Sequence, residues 1–305
     1  MTRPAETPLD SLPVELVASM KEAGLGATQV YSAVAAAVAE DLPGEDVTSA
    51  ATIDPAQRAT ADLVARADGV LAGLDVAETV FRYVVGDVAR IVRHVEDGAT
   101  VTRSDVLLTV TGPVDLLLTA ERTALNFLCH LSGVATGTAA WVRALEGTSA
   151  KVRDTRKTTP GLRMLEKYAV RCGGGVNHRT TLSDQALVKD NHVLAAGGVV
   201  AAYEAVRSRY PDLRVQVEVT DLDQLRELLD AGCAEILLDN MATARMAEAV
   251  AVTAGRARLE ASGGLDLTRA REVAETGVDY LAVGALTHSA TVLDIAMDLR
   301  AGDPA

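Results

Sequence analysis

The hydrophobic pattern of the chain changes its period along its length. Between residues 28 and 38 the apolar positions Val30, Val34 and Val38 share one helical face, with Thr28 placed to cap the helix and Pro43-Gly44 to break the chain after it. From Ala59 to Thr111 short β-branched runs take over, Leu63 to Ala65, Ile91 to Val95 and Val106 to Val110, punctuated by Gly69, Gly86 and Gly98. A single helix-period run, Val76, Val80 and Val84, interrupts them. This predicts a small α+β domain with mostly antiparallel strands. Gly112-Pro113 then opens a long helix carrying Leu117, Leu118, Glu121, Arg122, Leu125, Leu128 and Leu131, with proline at its first position. Gly133 and Gly137 mark close packing or a bend. Residues 1 to about 13, with Pro4, Pro8 and Pro13, read as a loose tail.

After Lys151 strands alternate with helix-period segments to the end. The strand candidates are Lys151 to Arg153, Ala186 to Lys189, Val215 to Val219, Ile236 to Leu238, Arg258 to Ala261 and Tyr280 to Val283. Asp221 caps one intervening helix, and Gly232 and Gly277 are placed to stop two. Such alternation builds a parallel sheet with right-handed crossovers. The last four strands end on Glu218, Asp239, Ser262 and Gly284, at spacings of 21, 23 and 22 residues. That regularity predicts successive units of a β/α barrel, whose active site lies at the carboxyl ends of the strands and whose final loops take phosphate. Ser262-Gly263-Gly264 and Val283-Gly284-Ala285 occupy those loops, where small residues let backbone N–H groups come close to an anion.

Charge sharpens this picture. The 305 residues carry a formal net charge of −13, yet residues 151–192 hold nine Lys or Arg against four acids. A basic island in an acidic chain suits a small polyanion held in a focused field, and excludes an extended nucleic-acid or anionic-membrane face. Aromatic residues make up only 3% of the chain, so the core must be built from the many Ala and Val, which suits close packing of helices on a sheet. Cys129, Cys172 and Cys233 are far apart and form no Cys-x-x-Cys pair, which speaks against a disulfide framework or a zinc site. No apolar run precedes Pro4, Pro8 and Pro13, so the start reads as neither a signal peptide nor a membrane span, and cytoplasm is the expected compartment.

Arg156, Arg179 and Lys189 lie at or just after the ends of candidate strands, and a barrel turns them to one mouth. Converging cations repel unless an anion fills the space between them, and guanidinium groups grip carboxylates bidentately. Opposite them, Glu218 and Asp239 can hold ribose hydroxyls, bind Mg²⁺ on a pyrophosphate or favour a cationic transition state; alternatively they pair with Arg156 and Lys157. His178 can donate to a carboxylate or be an ordinary loop imidazole. His192 and Asn191 brace their loop, and His94, His130 and His288 are taken as structural. From spacing alone Arg122 is a helix-surface charge. The residues thus predict an enzyme acting on a multiply anionic small molecule that carries phosphate.

Several motifs together resemble one family: Glu-Arg-Thr-x-Leu-Asn at 121–126, His-Leu-Ser-Gly-Val-Ala-Thr at 130–136, Asp-Thr-Arg-Lys-Thr-x-Pro-Gly-Leu-Arg at 154–163 and Lys-Tyr-Ala-Val at 167–170. Gly-Gly-Gly-x-Asn-His-Arg at 173–179, Lys-Asp-Asn-His at 189–192, Leu-Leu-Asp-Asn-Met at 237–241 and Val-Gly-Ala-Leu-Thr-His-Ser at 283–289 complete the set. They resemble the quinolinate phosphoribosyltransferases, the carboxylating nicotinate-nucleotide pyrophosphorylases of NAD synthesis. The likeness covers roughly residues 28–300.

The resemblance implies an α/β fold with a variable tail at 1–27, an N-terminal α/β sandwich domain at 28–132, an incomplete C-terminal β/α (TIM-like) barrel at 133–300 and a tail at 301–305. It implies the use of Mg²⁺ and a homodimer or hexamer in which the sandwich covers the partner's barrel mouth. Carried over, Arg156, His178, Arg179 and Lys189 form the quinolinate cradle, and Arg122 reaches it from the neighbouring subunit. Thr155, Lys157, Glu218, Asp239, Ser262, Gly263, Gly264, Val283, Gly284 and Ala285 bind phosphoribosyl pyrophosphate, with Lys157, Glu218 and Asp239 catalytic and Glu218 and Asp239 nearest the metal. The alternatives are the related barrel protein of molybdate-transport operons, a non-catalytic sensor of phosphorylated ligands on the same fold, and a nicotinate or nicotinamide phosphoribosyltransferase. The complete Lys189-to-His192 motif with Glu218 and Asp239 speaks against the first of these.

Overall fold

A computed structural model describes residues 5–300. The first part of the chain forms α1 (Val14–Glu22), α2 (Ala27–Asp41), α3 (Val47–Thr52), β1 (Arg58–Ala65), β2 (Gly69–Val70), α4 (Leu74–Val85), β3 (Arg90–Arg93), β4 (Thr100–Val101), β5 (Val106–Pro113) and α5 (Val114–Ala144). Then come β6 (Lys151–Arg153), α6 (Arg163–Cys172), β7 (Ala186–Val188), α7 (Asp190–Ala196), α8 (Val199–Arg209), β8 (Val215–Val219) and α9 (Leu222–Asp230). The chain ends with β9 (Glu235–Asp239), α10 (Thr243–Thr253), β10 (Arg258–Ser262), α11 (Ala270–Ala274), β11 (Tyr280–Ala282), α12 (Ala285–His288) and β12 (Ile295–Arg300). Among the described residues no helix is long and apolar enough to cross a membrane.

Two compact units result. One holds residues up to Gly137, Thr159–Gly174 and those from Ala290 on; the other holds Thr138–Thr158 and Gly175–Ser289. The boundary at 132/133 expected from the sequence therefore falls inside α5, and α6 and β12 pack with the first unit. In that unit β12, β1, β5 and β3 form an antiparallel sheet in that order, as the β-branched runs predict. Val30, Val34 and Val38 are buried on α2, which packs on α4. The start of α2 differs from expectation, since Gly26 is the N-cap and Thr28 lies inside the first turn. Buried Asp75 and Glu78 on α4 are both paired with Arg93, at 2.8 and 2.7 Å, which offsets their desolvation.

Three further expectations change. The segment read as a loose tail is packed from residue 5: the Ala5 and Thr7 N–H groups donate to Val84 and Tyr83 carbonyls, and Leu12, Leu16 and Met20 are buried. The prolines hide an i, i+4 apolar stripe, and Pro13 serves as the N-cap of α1. Pro113 is the last residue of β5 rather than the first of α5. Strand β12 pairs with β1, from Ala65 opposite Ile295 to Thr60 opposite Arg300, a partner more than 200 residues away that no local pattern marks.

The second unit is a six-stranded parallel sheet in the order β6, β11, β10, β9, β8, β7. Val217, Ile236, Leu238, Leu259, Ala261 and Leu281 are buried along it. Strands β6 and β7 stand at opposite edges, and Val176 bridges to Arg153 beside β6, so the barrel is incomplete. Asp221 caps α9 by accepting from Asp223 and Gln224 N–H, as predicted.

Helix α5 runs unbroken through both glycines. At Gly133 a Cβ would lie 2.3 Å from the Thr291 carbonyl oxygen and 2.8 Å from Val292 Cα, so glycine there allows two backbones to touch. Gly133→Ala should therefore destabilise the protein by about 1–3 kcal/mol, the usual cost of forced overpacking, read as a lower urea midpoint; an unchanged midpoint would show that the contact yields freely.

Candidate active site

The carboxyl ends of the parallel strands gather the candidate residues of the second unit. Ser262 lies opposite Asp239 in the β9–β10 ladder, and Glu218 opposite Leu237 in the β8–β9 ladder, so the two carboxylates sit at neighbouring strand ends. Arg156 and Lys157 leave the end of β6, and Lys189 directly follows β7.

The cation side is built around Asp154, the first residue after β6 and fully buried. Its Oδ1 accepts from the His178 N–H at 2.7 Å and its Oδ2 from Asn177 Nδ2 at 2.6 Å, which fastens the glycine-rich loop to the strand end. That brings Arg179 towards Arg156. Burial first, and then the positive charge of Arg156, hold the Arg179 guanidinium below its ordinary pKa, with Asp184 opposing. Arg179 Nη1 donates to the Gln185 carbonyl at 3.0 Å, whereas Arg156 Nε is buried without a hydrogen-bond partner. Two guanidinium groups that repel, one with an unmet donor, have the charge and the hydrogen-bonding capacity to take an anion.

His178 is buried with both ring nitrogens engaged. Nδ1 lies 2.7 Å from the Arg179 backbone N–H and Nε2 lies 2.8 Å from Gln216 Oε1. With both nitrogens engaged, the ring has no free donor, and its bond to the Arg179 N–H ties it to that residue's backbone. Lys189 Nζ pairs with Glu218 Oε2 at 3.3 Å, joining a residue expected on the dicarboxylate side to one expected on the sugar side. The alternative pairing of Glu218 and Asp239 with Arg156 and Lys157 does not occur. Asp239 instead accepts from Asn240 Nδ2 at 2.9 Å.

On the phosphate side Lys157 N–H donates to Thr155 Oγ1 at 3.0 Å, and the Lys157 carbonyl accepts from Thr287 Oγ1 at 2.7 Å. A Cβ at Gly284 would lie 3.0 Å from Lys157 Cδ and 3.1 Å from His288 Nε2. His288, treated as structural from the sequence, therefore stands beside the glycine turn and Lys157; its signal was position four after Gly284, one helical turn. Gly263 has φ +93°, and a Cβ there would meet Asn240 Oδ1 at 2.2 Å, so no larger residue fits. Not every predicted backbone donor is free, because Val283 N–H is taken by the Arg153 carbonyl at 2.9 Å.

Arg122 is exposed on α5 in the first unit. His130 bonds buried Glu166 at 2.9 Å, His94 bonds Thr109 at 2.8 Å, and His192 Nδ1 accepts from the Lys189 backbone N–H at 2.9 Å, so the loop-bracing role of His192 holds. The three cysteines are free thiols, and burial pushes Cys172 up to about 12 and Cys233 up to about 11, which suits neither for nucleophilic work.

The geometry agrees with the comparisons. Residues 46–132 match the N-terminal domain of quinolinate phosphoribosyl transferase and residues 134–298 its C-terminal domain. A nicotinate-nucleotide pyrophosphorylase [carboxylating] of Mycobacterium leprae is 53% identical over 268 residues, covering 86% of this chain and 94% of that protein. The Bacillus subtilis protein named as a probable one is 40% identical over 85% of this chain and 90% of its own length. The solved structure of NadC from Streptococcus pyogenes superposes with a TM-score of 0.88 at 43% identity, covering 92% of this chain and 99% of that one. The chain belongs to the quinolinate phosphoribosyltransferase family.

Proposed function

We propose that this chain transfers the phosphoribosyl group of phosphoribosyl pyrophosphate to the ring nitrogen of quinolinate, releasing pyrophosphate and CO₂ and giving nicotinate mononucleotide for NAD synthesis. The observation that carries the reading is the Arg156–Arg179 pair, close enough for one charge to depress the other's pKa and one donor short of satisfaction. A pyridine dicarboxylate supplies two negative charges to that cup, with Lys189 at its edge and Arg122 reaching in from a second copy of the chain in a dimer. A nicotinate-type monocarboxylate would leave part of the cluster unpaired. Near relatives named for this reaction, matching over most of the chain, favour turnover over mere ligand sensing.

In the reaction the pyridine nitrogen displaces pyrophosphate at the anomeric carbon through an oxocarbenium-like transition state. Glu218 and Asp239 face the sugar and stabilise the developing positive charge, while the cradle holds the ring in line, so orientation and electrostatics carry the rate. Lys157, with Thr155, His288 and the turns at Ser262–Gly264 and Val283–Ala285, grips the phosphates. Loss of CO₂ from the carbon beside the nitrogen follows: the C–C electron pair stays on that carbon, stabilised by the cationic ring, and takes up a proton from water to give nicotinate mononucleotide.

No group of three or more His, Cys, Asp or Glu suited to a metal occurs among the described residues. Two carboxylates at adjacent strand ends are nevertheless the donor set that suits Mg²⁺ carried in on pyrophosphate, and Glu218 and Asp239 would hold it. When bound, the ion neutralises the leaving group.

Nicotinate mononucleotide formation from quinolinate and from nicotinate, with and without Mg²⁺, tests the reading; it fails if quinolinate is not turned over. Arg156→Ala should lower kcat/KM for quinolinate at least about 100-fold, as expected on losing one side of a desolvated charge pair, yet keep or raise the melting temperature of the free protein. Near-normal turnover would refute the cradle. Glu218→Gln should lower kcat about 100- to 1000-fold, with a smaller change in KM for quinolinate; an effect confined to KM would assign Glu218 to ground-state binding only.

A further inference from the structure

Three buried polar side chains in the second unit have no part in the assignments above. Gln216 and Glu260 are each 1% exposed and Arg153 6%, and they come from β8, β10 and β6. With His178 they form a continuous hydrogen-bonded chain. Arg179 N–H meets His178 Nδ1 at 2.7 Å, and His178 Nε2 meets Gln216 Oε1 at 2.8 Å. Gln216 Nε2 then donates to Glu260 Oε2 at 2.9 Å, which also accepts from Arg153 Nη1 at 2.7 Å.

The direction of every bond is forced from both ends. A backbone N–H can only donate, so His178 Nδ1 must carry the lone pair and Nε2 the hydrogen. Gln216 must then turn its oxygen to the ring and its NH₂ to Glu260. At the far end a guanidinium can only donate, so Glu260 must accept from both neighbours as a carboxylate. The other neutral tautomer would set two donors face to face at Nδ1 and two acceptors at Nε2. Only one proton arrangement fits.

The network is not one that stability alone would retain. Glu260 Oε1 is buried without a hydrogen bond, 3.7 Å from His178 Nε2, and Arg153 Nε is likewise unpartnered. Unmet buried groups cost free energy, and apolar packing often replaces a buried ion pair without loss. What the chain does supply is a fixed imidazole under the backbone of Arg179, with Arg153 neutralised and so removed from the ligand-facing cations.

We propose that Gln216 and Glu260 are positioning residues: they lock His178 in its Nε2–H tautomer and, through Nδ1, hold Arg179 preset for a pyridine dicarboxylate. This rests on the quinolinate reading above. Gln216→Met, close in shape and apolar, cuts the chain while leaving the Arg153–Glu260 pair. It should raise KM for quinolinate about 10- to 100-fold, the scale of a small misplacement of a binding group, with less effect on kcat. KM for phosphoribosyl pyrophosphate should stay within about twofold, since uniform loss would mean general damage. Long-range ¹H–¹⁵N NMR of the unaltered protein should show the Nε2–H tautomer for His178, and the variant a tautomer mixture. An Nδ1–H ring in the unaltered protein, an unchanged ring in the variant, or equal losses for both substrates would overturn the proposal. The spectrum of the unaltered protein decides even if the variant does not fold. If quinolinate is not turned over at all, the function fails, and the tautomer measurements alone then decide the lock.

Discussion

Arg156 and Arg179 lie close enough for their like charges to repel, and the second unit fastens together the two loops that carry them. Asp154 stands at the root of this constraint. Its two oxygens clamp residues 177 and 178 to the end of β6, two residues before Arg156 on one side and one residue before Arg179 on the other. A fully buried carboxylate would be costly on its own; bonded to a backbone N–H and an amide it becomes a rigid crosslink. A site held rigid in this way, if it takes the dianion proposed above, binds without paying to order its own groups.

The opposite half of the mouth works with the other sign. Glu218 and Asp239 end neighbouring strands, and the Lys189–Glu218 contact is the seam between a positive cup and a negative wall. In the proposed reaction quinolinate would face the positive side and the activated sugar the negative side. Little covalent chemistry is asked of the protein, and no cysteine is poised for any. The glycine turns serve closeness: at Gly263 even a methyl group would strike Asn240. Lys157 is tied to α12, which follows β11, by its carbonyl bond to Thr287, so the segment after β6 carries both Arg156 and Lys157.

Much of this was legible from residue order. Parallel strands at near-even spacing, each ending on Glu218, Asp239, Ser262 or just before Gly284, announced the strand-end site because period and spacing are local properties. The gathering of cations in residues 151–192 was legible for the same reason, and the motifs named the family. The antiparallel character of the first sheet also followed from its short, glycine-punctuated runs.

What order alone could not decide depended on partners distant in the chain. Strand β12 joins β1 from the other end of the molecule, and the first described residues pack on α4 despite their prolines. Arg153, counted among the basic residues of the island, is neutralised by Glu260, while His288, set aside as structural, stands beside Gly284. The sequence determined which residue types lie at strand ends, because alternation is written in neighbours. Which charges cancel and which stay unmet was decided by the tertiary structure, because pairing energy falls off over a few ångströms in space and takes no account of distance along the chain.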